Sequence, residues 1–303
     1  MNIPLQPTFV RLVLLALLTA PCAHAEDAAP RDMAAAEVDA AFAAARGVAQ
    51  VGPAQVALRD QAQLNLPDGY VFIPPPEAER VMTALGNTVD STFLGLVFPQ
   101  GKENWFVVAE YEPSGFIKDD DAKDWDVDKL FDDIKKGTEA ANERRRDDGF
   151  SELDVVGWIE RPQYDALTHR LVWSLSAKDR SAAADEPQTI NYNTYVLGRE
   201  GYVSLNLVTD SDAIDVAKEH AKELLAVTEF QSGKTYADFA PSTDKVAAYG
   251  IAALIGGLAA KKLGLFALGA AFFAKFAKVL LVGGAVAAGS IAKWFGRKKP
   301  TDT

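Results

Sequence analysis

The sequence predicts an α+β domain, an antiparallel sheet with helices packed mainly on one face, followed by an apolar C-terminal helical membrane region. Three observations carry this reading. Short runs rich in aromatic and β-branched residues recur between turn residues, as in "TFLGLVFP" and "NWFVVAEYE". Segments with apolar residues at helical spacing are inserted among them, the order expected of an antiparallel sheet with helices laid on it. From Val246 to Trp294 the chain is almost all Ala, Gly, Leu, Val and Phe, broken by lysines.

Taken in order, the chain opens with Arg11, an apolar block "LVLLALLTAP" and "AHA" at Ala23–Ala25. A basic start, an apolar core and a small-x-small site read as a secretory signal over residues 1–25. Cys22 is the only cysteine. "TAPC" lacks the Leu expected before a lipidated cysteine, and cleavage after Ala25 leaves a chain without thiols. Disulfides, a thiol nucleophile and Cys-based zinc sites are thereby excluded. Such a chain rests on its hydrophobic core, and the stretch from residue 48 to 245 is long enough to form one.

"RDMAAAEVDAAFAAARG" places Met33, Val38, Phe42 and Ala45 in a loose stripe, with Gly47 as a stop. This predicts an Ala-rich helical segment over residues 26–47. From Val48 to Ile73 the pattern is strand-like, with a turn at "PDG". "PPEAERVMTALG" is a short helix whose buried face is Val81, Met82 and Leu85. "TFLGLVFP" and "NWFVVAEYE" form a hairpin through "QGKE". A helix follows in which Val127, Leu130, Phe131, Ile134, Thr138 and Ala141 share one face. It ends at Arg144–Arg146, where the helix dipole favours cations. Four strands come next, "LDVVGWIE", "HRLVWSLSA", "TINYNTYVL" and "GYVSLNLVT". A last helix carries Ile214, Ala217, Ala221, Leu224, Leu225 and Thr228 on one side. Residues 48–245 therefore read as one exported α+β domain.

Residues 246–296 read as a membrane-embedded helical region and 297–303 as a basic tail. The apolar blocks are each shorter than the ~20 residues that span hydrocarbon. The last, "VLLVGGAVAAGSIA", covers about 21 Å of a ~30 Å core. Lys261, Lys275 and Lys293 fall within about 40° of one another on a helix, with Lys278 to one side. A helical hairpin or self-association along the lysine face accommodates them. Arg297–Lys299 favours a cytoplasmic end.

Charge divides the chain. Between Glu26 and Lys245 stand 41 acidic and 22 basic residues, and the stretch after Lys245 has a net charge of +7. The acidic part excludes nucleic acid as a partner. The basic tail suits anionic lipid.

Several of these blocks occur together in one known family. "GYVFIPPPEAERVMTALGN", "LGLVFP", "WFVVAEYEPSGFIKDDDAKDWDVDKL", "VVGWIERPQYDALTHRLVWSLSAKD", "NYNTYVLGREGYVSLNLVTD" and "KTYADFAPSTDKVAAYGIAALIGGLAAKKLGL" resemble the bacterial family of membrane-anchored proteins of unknown function, DUF2167. The resemblance runs from about Gln61 to Arg297. It implies an exported domain with a membrane-embedded C-terminus, and no activity, substrate or catalytic residue comes with it.

One stretch invites a functional reading. "GFIKDDDAKDWDVDKLF" holds Asp119, Asp120, Asp121, Asp124, Asp126 and Asp128 within ten positions. An EF-hand counted from Asp124 has Lys129 where Gly belongs and Lys135 where the bidentate Glu belongs. Counted from Asp119, Lys123 occupies a ligand position. A looser calcium site between loop and helix start remains open, as does a pair of catalytic carboxylates. The reading that explains most is a helix entrance, with Asp124 and Asp126 capping free N–H groups at the positive end of the dipole.

Other motifs carry less. "SGKT" at Ser232–Thr235 lacks the earlier glycine of a phosphate loop and follows a helix. His169, at a strand start, and His220, on the exposed side of a helix, read as ordinary surface. "NYNTY" (Asn191–Tyr195) offers stacking and amide bonds to a sugar or peptide, and reads more simply as one half-buried strand face. No cofactor is implied. The expectation is a membrane-anchored envelope protein, in the bacterial inner membrane with residues 26–245 exported to the periplasm, acting as a non-enzymatic binding or interaction module. It would meet membrane lipid through its C-terminal region and an envelope protein partner or a second copy of itself. The alternatives are an envelope hydrolase or transferase using acidic residues, or a calcium-binding domain.

Overall fold

The computed structural model of the chain describes residues 30–147, 151–183 and 188–256. The expected signal over 1–25, the basic tail and residues 257–296 of the expected membrane region lie outside the described residues.

The chain runs α1 (Pro30–Ala45), β1 (Gln50–Val51), β2 (Ala54–Leu58), β3 (Ala62–Leu66), β4 (Tyr70–Ile73), α2 (Glu77–Ala84), β5 (Phe93–Pro99), β6 (Trp105–Glu112) and β7 (Phe116–Lys118). A 3₁₀ turn at Asp120–Asp124 leads into α3 (Val127–Asp147). Then come β8 (Leu153–Asp165), β9 (Arg170–Asp179), β10 (Thr189–Leu197), β11 (Tyr202–Asp210), α4 (Ile214–Ala226) and β12 (Thr228–Phe230). The described chain closes with β13 (Val246–Gly250) and α5 (Ala253–Gly256).

Eight strands form one sheet in the order β1-β4-β5-β6-β11-β10-β9-β8, antiparallel at every step. Alternation along the strands sends side chains to two faces. Trp105, Val107 and Ala109 of β6, with Leu205 and Leu207 of β11, meet Ile214, Ala217, Ala221 and Leu224 of α4 on the first face. A second sheet, β12-β3-β2, adds Leu58, Leu64 and Leu66 to that same cluster. Their neighbours Phe106 and Val108 point the other way, onto α1 and α2 through Phe42, Val81 and Met82. Further along that second face, Leu171, Trp173 and Leu175 of β9 pack under Leu130 and Ile134 of α3. Of the five described helices, α4 is thus the one on the first face. The predicted α+β architecture, with its antiparallel sheet, is present.

Two boundaries differ from the sequence reading. The Ala-rich segment is part of the core, since Val38, Phe42 and Ala45 are all buried and Phe42 meets the Phe98 ring edge-on at 5.6 Å. At the other end, the helical region expected from residue 246 begins inside the domain and as a strand. β13 runs parallel to β7, pairing Val246 with Phe116 and Gly250 with Lys118. Ala247, Ile251 and Ile255 join the α3 cluster, with Tyr249 and Leu254 partly buried against it. The reason is burial: an apolar run reads alike whether it faces lipid or a protein core, and here the sheet and α3 already present an apolar surface. Gly115 makes the approach possible. Its φ of +94° is open to glycine, and a Cβ there would lie 2.7 Å from the Lys245 carbonyl oxygen. Among the described residues no helix is long and apolar enough to cross a membrane.

If residues 246–256 belong to the folded domain, Ile251→Ala should cost about 2–5 kcal/mol. Urea unfolding of the full chain followed by tryptophan fluorescence reads it. An unchanged midpoint would return this segment to the tail.

Candidate functional site

The six aspartates do not converge. Asp126 caps α3, its Oδ1 accepting the Lys129 N–H at 2.9 Å. Asp124 ends the 3₁₀ turn and is exposed, so of the two expected caps only Asp126 holds the N-cap hydrogen bond. Asp128 meets Arg161 at 2.7 Å on the surface. Asp120 is exposed. Asp121 turns toward the C-terminal segment, where its Oδ2 accepts the Ala252 N–H at 3.2 Å. Asp119 accepts the Tyr164 hydroxyl at 2.7 Å. Among the described residues no three His, Cys, Asp or Glu side chains come together as a metal cluster.

Asp119 belongs to a different constellation. Tyr164, near the end of β8, donates to it, and His169 Nδ1 lies 3.0 Å from the same hydroxyl. The tyrosine proton is directed at the carboxylate. His169 Nδ1 must then carry the hydrogen that reaches the tyrosine oxygen. The His169 ring stacks on Tyr236 at 4.0 Å, and Tyr236 donates to the Ile117 carbonyl at 2.8 Å. His169 has a φ of +53° at the turn where Asp165 bonds the Leu167 N–H and the Thr168 hydroxyl. Burial first, and then the hydrogen bond to Asp119, push the Tyr164 hydroxyl far above its ordinary range.

The same device occurs twice more. Tyr70 of β4 donates to Glu223 of α4 and lies 2.8 Å from His220 Nδ1, and His220 stacks on Trp105 at 5.1 Å. Tyr192 of β10 donates to Glu160 of β8 at 2.7 Å, and Lys222 approaches that carboxylate at 3.4 Å. Burial, then the carboxylate, raise both hydroxyls. Neither histidine is bare surface, contrary to the sequence reading. His220 lies on α4 beside the first-face cluster, a position that helix periodicity alone placed outside. A tyrosine five residues before a turn histidine ("YDALTH") is the one local signal of the Asp119 group.

The remaining motifs settle into structure. Thr235 of "SGKT" forms a reciprocal cap with Asp238, and Lys234 pairs with Glu200 at 2.7 Å. Asn191 and Asn193 of "NYNTY" share the second face with Asn206, whose Nδ2 lies 3.4 Å from Asn191 Oδ1. Asn193 is buried and donates to the Trp173 and Asn191 carbonyls.

An open groove of about 600 Å³ lies between α3 and the start of β8. Its floor includes Leu153, Val155 and Val156, and Lys135, Lys136 and Lys178 stand at its rim. Thr138 lines it too, but its hydroxyl is bonded to the Ile134 carbonyl at 3.0 Å. The groove holds no hydroxyl or thiol set against a base.

Comparison with known proteins now adds a family. A family model described as "Protein of unknown function (DUF2167)" matches residues 50–285. No curated protein matches the chain. The solution structure of cyanobacterial PsbP (CyanoP) from Synechocystis sp. PCC 6803 is similar over 61% of this chain and 93% of its own, at 10% identity and a TM-score of 0.36. At that level the likeness carries no inference about function.

The capping assignment predicts that Asp126→Ala lowers stability by about 0.5–2 kcal/mol, while Asp120→Ala leaves it unchanged. Millimolar calcium should not move the melting temperature. A rise of several degrees, lost in Asp121→Asn, would overturn the assignment.

Proposed function

The chain belongs to the DUF2167 family, and we propose that it is a membrane-anchored envelope protein whose acidic exported domain works by binding a partner. The observation that carries the binding half is the fate of its carboxylates. Asp119, Glu160 and Glu223 are each closed on a tyrosine hydroxyl. A general acid–base pair needs two groups whose environments separate their pKa values and which face a shared substrate space. Glu160 and Glu223 both stand beside α4, but each is taken up by its own tyrosine, Glu160 by Lys222 as well, and the groove beside α3 has lysines over an apolar floor. That combination suits recognition.

The membrane half rests on the two ends. Arg11–Ala25 has the form of a secretory signal, and the run beyond residue 256 is apolar with basic residues at its end. The described chain is held to the domain up to its end: β13 pairs with β7, and Asp121 accepts the Ala252 N–H four residues before Gly256. A tail embedded in the inner membrane would hold the domain close to the periplasmic surface, with lipid as one partner and an envelope protein, or a second copy, as the other.

A reporter that is active only after export, fused after Gly256, should be active in cells. The full chain should stay in the pellet after a carbonate wash. Cytoplasmic behaviour of the fusion would reject export, and release by carbonate would reject embedding.

A further inference from the structure

β8 is the last strand of the large sheet, yet its edge is closed to a further strand. At its start Asn142, a fully buried side chain of α3, accepts the Leu153 N–H at 2.9 Å and donates to the Leu153 carbonyl at 3.0 Å. Further on, the pairing with β9 slips three times, between Val155 and Gly157, Trp158 and Glu160, and Glu160 and Gln163. Each slip inserts one extra residue, which bends the strand and re-aims a side chain. Val156 and Ile159 stand at the first two slips, opposite no residue of β9, and they are exposed at 47% and 39%. At the third, Arg161 is exposed and pairs with Asp128 at 2.7 Å. The bulges therefore put two large apolar side chains into solvent at an edge that offers no regular ladder. Trp158, between them, is half-buried and meets the Phe131 ring at 5.4 Å, so the pair stands on a packed base.

From this bulged edge and the groove beside it we infer that the domain rests β8 and α3 on an anionic lipid surface, with Val156 and Ile159 entering the interface and the rim lysines meeting lipid phosphates. The inference deepens the membrane half of the reading above and rests on it. A bilayer surface needs no main-chain partner, so the bulges that bar a strand do not bar it. It asks for apolar side chains set beside cations, the combination that shallow interfacial contacts use. Lys135, Lys136 and Lys178 rim the groove over Leu153, Val155 and Val156. Of the acids nearby, Glu139 and Asp154 meet Arg180 at 2.7 and 2.8 Å, Glu152 is held by Arg146 and Arg180, and Asp133 by Lys129. Asp132, one turn before Lys136, is exposed without such a pair among the described residues, and the three lysines outnumber it. The course of the chain agrees. Ile251 and Ile255 share one cluster with Leu130 and Ile134 of α3, so the apolar, basic run beyond residue 256 sets out beside the helix that carries Lys135 and Lys136. A membrane entered by that run would meet this rim. The rest of the domain, with nearly twice as many acids as bases, is repelled by anionic head groups. Attraction here and repulsion elsewhere select one orientation.

The test uses the full chain with Cys22→Ser, carrying a fluorophore through Val156→Cys or, as a control, through Val216→Cys. Val216 is exposed at 64% on α4, which covers the opposite face of the sheet. Each chain is reconstituted with vesicles of phosphatidylcholine or of phosphatidylglycerol that contain a brominated, quenching lipid. The label at position 156 should be quenched in phosphatidylglycerol and not in phosphatidylcholine, and the label at position 216 in neither. The double variant Lys136→Glu/Lys178→Glu should weaken the quenching about tenfold, and high salt should lower it. Both lysines are exposed, so the variant should keep its fold, which its melting temperature checks. Equal quenching at the two positions, quenching at 156 that ignores lipid charge or the lysine variant, or none in phosphatidylglycerol overturns the contact. A label that responds to protein concentration without vesicles would make the edge a self-interface and overturns it as well. Carbonate extraction keeps the two readings apart. A chain that resists carbonate without quenching at 156 keeps the embedded tail and loses this contact, whereas one released by carbonate, yet quenched at 156 before extraction, loses the tail and keeps the contact.

Discussion

The burial of β6 and β11 on both faces is the constraint from which the rest of the architecture follows. These neighbours pair from Trp105–Thr209 to Glu112–Tyr202; their first face is apolar, and their second buries Ser204 and Asn206 beside Phe106, Val108 and Val208. A strand that is polar on one side can leave that side to water. One carrying Trp105, Val107 and Ala109 on one side and Phe106 and Val108 on the other cannot. Each face therefore needs a cover, and the covers differ. α4 and the small sheet close the first face, while α1 with α2 and α3 with α5 close the second at its two ends. Away from this centre the strands become one-sided: β8 is largely half-exposed or exposed along its length.

That gradient explains what could be read without coordinates. The strands and the helices α2, α3 and α4 carry their own periodicity, and Val81, Ile134 and Leu224 stand where the spacing puts them. The parallel β7–β13 pair carried no such signal. β7 has three residues, and its partner lies about 130 positions away in a run whose composition suits lipid as well as protein. Polar burial was equally silent. Asn142 and Arg145 are buried on α3 among residues that the apolar stripe did not include, and only the edge of β8 explains Asn142. The aspartate run was legible in kind, since Asp126 does cap a helix. It was illegible in detail, because the roles of Asp119 and Asp121 are set by residues far along the chain, Tyr164 and Ala252.

The three tyrosine–carboxylate contacts deserve a common explanation, and charge supplies one. A domain with 41 acids and 22 bases between Glu26 and Lys245 cannot give every carboxylate a cation. A tyrosine hydroxyl is a neutral donor on a large apolar body, so it satisfies a carboxylate while its ring joins the core. Tyr70, Tyr164 and Tyr192 each do this, and each contact links separate elements: β4 to α4, β8 to the loop after β7, and β10 to β8 across β9. Contacts of this kind depend less on ionic strength than the surface ion pairs that would otherwise be needed, because the donor carries no net charge to screen. The scarce cations are then left for places where a charge is required. Arg199 is bonded to both Asp244 oxygens at the entrance to β13, and the lysines beside β8 remain uncompensated. An acid-rich chain that spends tyrosines on its acids can keep a small cationic groove between α3 and β8.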